Sequence, residues 1–268
     1  MSLTLNGSMN GNGAHDVAYL PEFSLSYGDS DSVAASADSL GELRRRILEM
    51  GAATEELVRD SLRALTEQDS SLAATIMPRD DVVDRMDIEI EAMCLRLLAM
   101  PNPKPEELRL IGAALKVITD IERIGDHAVD IAKISQRMGR EMFYKPLVDI
   151  PRLGEMTRHM LHDALEAFVH RDLIRVERVI ANDDSVDALY ARMRKELQVI
   201  MQEDPSSVLQ ASYLLFVAHY LERICDHCTN IAERVAFMET GEVKHSSPKK
   251  APKDLPPLPP VRVSTNGK

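Results

Sequence analysis

The sequence predicts an all-α fold: tandem duplicated three-helix bundles, six long helices related by a pseudo-twofold axis, between disordered N- and C-terminal arms. Three observations carry this. The block Glu122-Arg123-Ile124-Gly125-Asp126-His127 returns 100 residues later as Glu222-Arg223-Ile224-Cys225-Asp226-His227, each copy followed by Ile-Ala. From about Leu40 to Gly241 apolar residues recur at helical spacing, and no alternating run of β-branched residues competes with them. Prolines gather at a few points that cut this pattern into helices.

Residues 1–39 are rich in Gly, Ser, Asn and Asp, with five acidic residues and no Lys or Arg, and read as a disordered acidic arm. Tyr19, Phe23 and Tyr27, four residues apart, offer a docking stripe, although Pro21 and the polar context favour an open arm. The first repeat spans 40–145. It opens with a helix over about 40–68; a second helix carries Val83, Met86, Ile90, Met93 and Leu97; and Met100-Pro101-Asn102-Pro103-Lys104-Pro105 ends it. The third helix has a coiled-coil-like seam of Ala114, Val117, Ile121, Ile124, Ala128 and Ile131.

The second repeat, 146–241, follows the break from Lys145-Pro146 to Pro151 and opens with a helix over about 152–171. Val186, Leu189, Met193, Leu197 and Ile200 stripe its second helix up to Glu203-Asp204-Pro205. Leu214, Val217, Leu221, Ile224, Cys228, Ile231 and Val235 form the seam of its third. Residues 242–268 hold six prolines among six Lys and Arg and read as a disordered, polyproline-like tail. A ligand for a proline-binding module is the alternative to a solvated tail.

Composition narrows the class. The net charge of −11 sits mainly in the duplicated core, which disfavours nucleic acid and favours cations or basic partner surfaces. Three cysteines are too few and too odd for a secreted disulfide framework. No apolar run is long enough to span a bilayer, and Met1 to Gly13 lacks the regions of a signal peptide, so the expected location is cytoplasmic, with no membrane insertion. A monomer and a homodimer both stay open.

The duplication extends beyond the repeated block. Asp60 to Asp84 aligns without a gap on Asp163 to Asp187, pairing Asp60 with Asp163, Asp69 with Asp172, Asp80 with Asp183 and Asp84 with Asp187. Packing explains a recurring Leu or Val but not a recurring surface Asp. Asp69 and Asp172 are expected to cap the second helix of each bundle. The other carboxylates form a geometry: Asp80 and Asp84, Glu122 and Asp126, Asp183 and Asp187, and Glu222 and Asp226 each lie four apart on one helical face. Helices joined by a tight turn run antiparallel, so residues equidistant from the turn become neighbours. That sets Asp80 beside Asp126 and Asp84 beside Glu122, then Asp183 beside Asp226 and Asp187 beside Glu222.

Four carboxylates therefore converge in each bundle, and their repulsion calls for an offset. The angular position of Glu122 and Asp126 opposite the apolar seam predicts a cluster near the surface. A solvated acidic face explains any single pair; repetition of all four favours cation binding, and all-oxygen donors suit a hard metal such as Mg, Mn or iron. Arg123 and Arg223 are the competing partners. No Glu-x-x-His pair supports a di-iron oxygenase, since His219-x-x-Glu222 is reversed. His127 and His227 read as flanking or interface residues rather than ligands, and His159 and His162 as surface residues. Cys225-x-x-Cys228 lacks a second pair or a redox turn, and reads as small packing residues rather than a zinc site. No phosphate-cradling loop or catalytic triad is found.

The doubled motif, "ERIGDHAVDIA" and "ERICDHCTNIAERV", each preceded by "DxxVD" on the previous helix, resembles the PhoU family of phosphate-uptake regulators over about residues 40–240. The resemblance implies two symmetric three-helix bundles with metal clusters bound at Asp80, Asp84, Glu122 and Asp126, and at Asp183, Asp187, Glu222 and Asp226; iron, Mn, Mg and Zn are the metals to test. It implies a non-enzymatic role: lowering phosphate uptake and repressing the starvation response when phosphate is plentiful, by contact with the phosphate ABC transporter ATPase and a phosphate-sensing histidine kinase. Cys225, where the family has Gly, and the long arms depart from the pattern. The competing reading is a metal-dependent hydrolase or metal-storage bundle using the same carboxylates.

Overall fold

The structure, a computed structural model, describes residues 32–139 and 149–242; the Tyr19, Phe23 and Tyr27 stripe and the tail from Val243 lie outside the described residues. The helices are α1 (Ser32–Thr66), α2 (Ser70–Ala74), α3 (Ile76–Leu98), α4 (Pro105–Met138), α5 (Asp149–His170), α6 (Leu173–Glu203) and α7 (Val208–Thr240). A 3-10 turn, Pro205–Ser207, joins the last two. No strand occurs among the described residues. The first bundle is α1, α3 and α4 with the single-turn α2; the second is α5, α6 and α7.

α1 reaches back to Ser32, inside the segment read as an arm, because Val33-Ala34-Ala35-Ser36-Ala37 is helix-favouring and holds no proline. The turn after the first helix is built identically in both halves. Gln68 (φ 53°) and Arg171 (φ 55°) take the left-handed conformation that ends a helix. The next N–H reaches back five residues, Asp69 to the Ala64 carbonyl at 2.9 Å and Asp172 to the Ala167 carbonyl at 3.1 Å. Asp69 then caps α2 through the N–H groups of Ser71 and Leu72, and Asp172 caps α6 through those of Ile174 and Arg175.

From here the halves diverge. The second bundle has one continuous α6, whereas the first is broken at Thr75. Pro78 is the cause: it has no N–H to donate to Ala74, and its counterpart in the repeat is Ala181. Elsewhere the breaks fall where the chain chemistry puts them. Pro105 starts α4, with the Lys104 N–H donating to the Glu107 carboxylate at 2.9 Å, and Gly241 (φ 73°) ends α7.

The two bundles share one continuous core, joined by α1 against α5 and α4 against α7. The first contact shows the pseudo-twofold directly. A Cβ on Gly51 would lie 2.7 Å from Leu165 Cδ2, and one on Gly154 would lie 2.8 Å from Leu62 Cδ1; the glycines are repeat equivalents, as are the leucines. Each half thus inserts its leucine over the other half's glycine, the reciprocal contact of a two-fold interface.

Candidate metal centres and the axis between the bundles

In the first bundle α3 and α4 bring Asp80, Asp84, Glu122 and Asp126 into one electrostatic neighbourhood. Burial pushes the Asp80 carboxyl up to about 7, helped by the charges of Asp84, Asp126 and Glu122. Burial, then Asp126, raises Asp84 as well; burial and Asp126 likewise raise Glu122. Gly125 makes the approach possible, because a Cβ there would stand 2.5 Å from Asp80 Oδ1. That oxygen is buried and has no hydrogen-bond partner. Arg123 lies at the outer edge, 3.3 Å from Glu122 and 2.9 Å from Asp126.

The first cluster reaches from the surface inward, with Asp84 exposed, Glu122 and Asp126 partly exposed, and Asp80 buried. Asp80 is 8% exposed and, in the second bundle, Glu222 only 4%. Those two are covered by helix contact: a residue off the seam of one helix is still buried where the neighbouring helix approaches closely.

The second bundle differs in its partners. Arg223 grips Glu222 at 2.7 and 2.8 Å and reaches Asp226 at 3.0 Å, so the expected ion-pair alternative is realised in both bundles and more tightly here. His219 stands 3.8 Å from Glu222. Asp183 and Asp187 lie half-buried on α6. Tyr190, whose hydroxyl is raised by burial and then by Glu222, brings Arg194 over its ring at 5.9 Å. Their equivalents in the first bundle are Asp87 and Glu91. Asp87 belongs with the first cluster: Oδ1 is buried and unpartnered, and burial, Glu91 and Asp84 raise its carboxyl. Sequence reasoning passed over it because the repeat holds Tyr190 there, although it shares a face with Asp84.

The donor chemistry of the first cluster fits a hard cation: oxygen ligands only, mutual repulsion, and a buried oxygen lacking a donor. Among the described residues no three His, Cys, Asp or Glu side chains stand arranged to hold a metal ion. Uptake would require Arg123 or Arg223 to swing away from the carboxylates it bridges.

The other recurring aspartates have a separate role. Asp60 and Asp163 are buried on the first helix of each bundle and accept from arginines of the next helices, Arg79 at 2.7 Å and Arg175 at 2.7 Å. Burial pushes Asp60 up, but Arg79 and Arg59 outweigh it and hold the carboxyl below its usual range. The two arginines are not repeat equivalents, which hid the pairing.

Between the bundles α4 and α7 run antiparallel with a polar axis. His227 Nδ1 is 2.8 Å from Asp120, whose carboxylate also accepts from Asn230 at 3.1 Å. Across the axis His127 stacks on Tyr220 at 5.6 Å and faces His227 at 5.7 Å. Asp120 and Tyr220 are equivalents, so each half offers a different partner to the other's histidine. Burial, then His227, pushes His127 down to about 4 and keeps it neutral. The histidines are thus interface residues. Cys94, Cys225 and Cys228 are all buried thiols. Cys225 occupies the place of Gly125 and lies 3.4 Å from the Thr157 hydroxyl, against α5. Among the described residues no helix is long and apolar enough to cross a membrane.

Comparison with known proteins gives the same picture. The PhoU domain matches residues 47–135 and 150–235, one match per bundle. The phosphate-specific transport system accessory protein PhoU homolog of Clostridium acetobutylicum is 42% identical over 204 residues, covering 76% of this chain and 93% of that protein. The Escherichia coli accessory protein PhoU is 32% identical over 203 residues, covering 76% of this chain and 84% of that protein. The crystal structure of PhoU from Pseudomonas aeruginosa superposes with a TM-score of 0.75 at 32% identity, over 77% of this chain and 99% of that one. That of the phosphate transport system regulatory protein PhoU from Streptococcus pneumoniae does so at 0.74 and 28%, over 79% and 100%. With both repeats matched, the fold shared and identity sustained over three quarters of its length, the chain belongs to the PhoU family.

Proposed function

We propose that this chain is a cytoplasmic, non-enzymatic regulator of phosphate homeostasis. It lowers uptake through the phosphate ABC transporter and represses two-component starvation signalling when phosphate is plentiful, by contact with the transporter ATPase and the phosphate-sensing histidine kinase. The observation that carries this reading is the doubled family match, whose relatives are named as accessory proteins of phosphate-specific transport. Deleting the gene tests it: starvation genes should stay expressed in phosphate-replete medium. Normal repression in a strain with no second copy would reject the reading.

Metal belongs to this proposal. Asp80, Asp84, Glu122 and Asp126 would hold a cation in the first bundle, and Asp183, Asp187, Glu222 and Asp226 in the second, with iron, Mn, Mg and Zn as the candidates. The bound ion would neutralise clustered carboxylates and tie α3 to α4 and α6 to α7. Elemental analysis of protein purified without chelator reads the metal directly. Phosphate release from ester substrates by the loaded protein would instead favour the hydrolase reading.

A further inference from the structure

The two carboxylate clusters are not copies of one another. Around Asp80, Asp84, Glu122 and Asp126 the first bundle adds Asp87, whose charge raises Glu122, and Glu91, whose charge raises Asp87 in turn. The arginines that answer these carboxylates are both exposed: Arg123, beside Glu122 and Asp126, and Arg85, close enough to Asp84 to lower it. Two oxygens lie inside them, Asp80 Oδ1 and Asp87 Oδ1, buried and with no donor. Asp80 is 8% exposed and directs its oxygen against Gly125. The first cluster thus keeps an excess of negative charge that the protein itself does not answer.

In the second bundle Tyr190 and Arg194 take the places of Asp87 and Glu91. Arg194 lies over the Tyr190 ring, and the Tyr190 hydroxyl feels the charges of Glu222, Arg194 and Arg223 together. Arg223 donates twice to Glu222, where Arg123 makes one longer contact to Glu122. The Glu222 side chain is 6% exposed against 24% for Glu122, so an ion arriving from solvent meets the guanidinium before it meets that carboxylate. The exposed Arg85, which has Ala188 at its place in the repeat, is the one difference that runs the other way.

We infer that the two bundles are unequal cation sites: Asp87 and Glu91 make the first the tighter one, while Arg194 and Arg223 act as a built-in counter-charge that keeps divalent cations out of the second until the first is filled. The inference rests on the proposed metal uptake and adds an order to it. From Asp87 and Glu91 to Tyr190 and Arg194, two carboxylates give way to one phenol and one guanidinium. A unit charge about 7 Å from a divalent ion shifts its binding by roughly tenfold in a water-like dielectric before salt screening, so a separation of about tenfold or more between the bundles survives screening. Between the two thresholds the chain holds its ion in the first bundle alone, and the two flanks of the α4–α7 axis then differ in charge. A molecule built this way answers a low and a high cation concentration differently.

Equilibrium titration of the full-length, chelator-stripped protein with manganese, following the free ion by electron paramagnetic resonance, tests this. Wild type should show two classes of site whose dissociation constants differ about tenfold or more. Asp87→Asn should weaken the tight class about threefold and leave the weak class alone. Tyr190→Asp with Arg194→Glu writes the first bundle's residues into the second, and should bring the weak class to within about threefold of the tight one. Arg194→Gln alone removes a single charge from a half-buried position and should tighten the weak class about threefold, so the outcome does not hang on the folding of the double variant. Equal filling of both bundles by wild type would overturn this inference and leave the metal reading standing. A weak class unmoved by either change at Arg194, or a tight class unmoved by Asp87→Asn, would do the same. No bound manganese at any concentration would overturn both.

Discussion

The unpartnered Asp80 gives a prediction with a sign that can be worked out. In the metal-free protein its carboxyl is raised from 3.8 to about 7. The folded state then binds the proton more tightly than the unfolded chain, so this group's contribution to stability is fully present below the unfolded value and is lost as pH rises through the folded one. The whole shift corresponds to ~4 kcal/mol. Part of it comes from the exposed Asp84, whose charge salt and water screen, leaving ~2 kcal/mol. Asp80→Asn should therefore stabilise the metal-free protein at about pH 8 by that amount, which is ~4–8 °C in melting temperature for a domain of this size. The gain should shrink as pH falls and vanish near about pH 4. On the proposed metal uptake the ranking should invert in manganese, because the wild-type chain would gain from binding and the variant would not. Calorimetric melts in chelator and in excess metal, at several pH values, make the measurement. An Asp80→Asn protein less stable than wild type in chelator at alkaline pH would refute the reasoning.

Other expectations are simpler. Gly51→Ala should cost ~1–3 kcal/mol in urea unfolding, since the new Cβ meets Leu165, and Leu165→Val should recover part of the loss in the double variant. Asp60→Ala should destabilise by ~2 kcal/mol by removing the buried acceptor shared by Arg79 and Arg59, read from the same unfolding curves. Asp126→Asn should weaken metal binding at the first bundle and leave the second intact, as calorimetric titration would show by loss of one class of sites. The three thiols should stay unreactive to a disulfide reagent until the protein is unfolded. Burial pushes Cys94 up to about 12 and raises Cys228 well above the usual range.

Much of this architecture was legible because helical periodicity is a local signal. The seam Ala114 to Ile131, the break at Pro103 and Pro105, and the caps Asp69 and Asp172 each follow from neighbours in sequence. Convergence of Asp80, Asp84, Glu122 and Asp126 was also legible, since an antiparallel hairpin with a short turn fixes which residues face each other. Burial of Asp80 was not, because it depends on how closely Gly125 lets α3 approach. Repetition served as the filter for function, and it hid what the halves do not share: Asp87 against Tyr190, Asp120 against Tyr220, Pro78 against Ala181. The pairing of Asp60 with Arg79 escaped for the same reason, as the arginine has Asn182 in its place in the repeat.

The polar axis between α4 and α7 bears on how such a molecule can change over time. In a dimer of identical subunits each residue of the axis must meet the same partner twice, and any substitution there is felt on both sides at once. Joining the two copies in one polypeptide lifts that obligation. Here one histidine meets a carboxylate and the other an aromatic ring, an arrangement that separate identical subunits could not encode. The same freedom lets one bundle carry Asp87 and Glu91 where the other carries Tyr190 and Arg194. Covalent fusion has thus turned a symmetric scaffold into one with two distinguishable ends, each able to drift toward its own ligand while the shared core holds the frame.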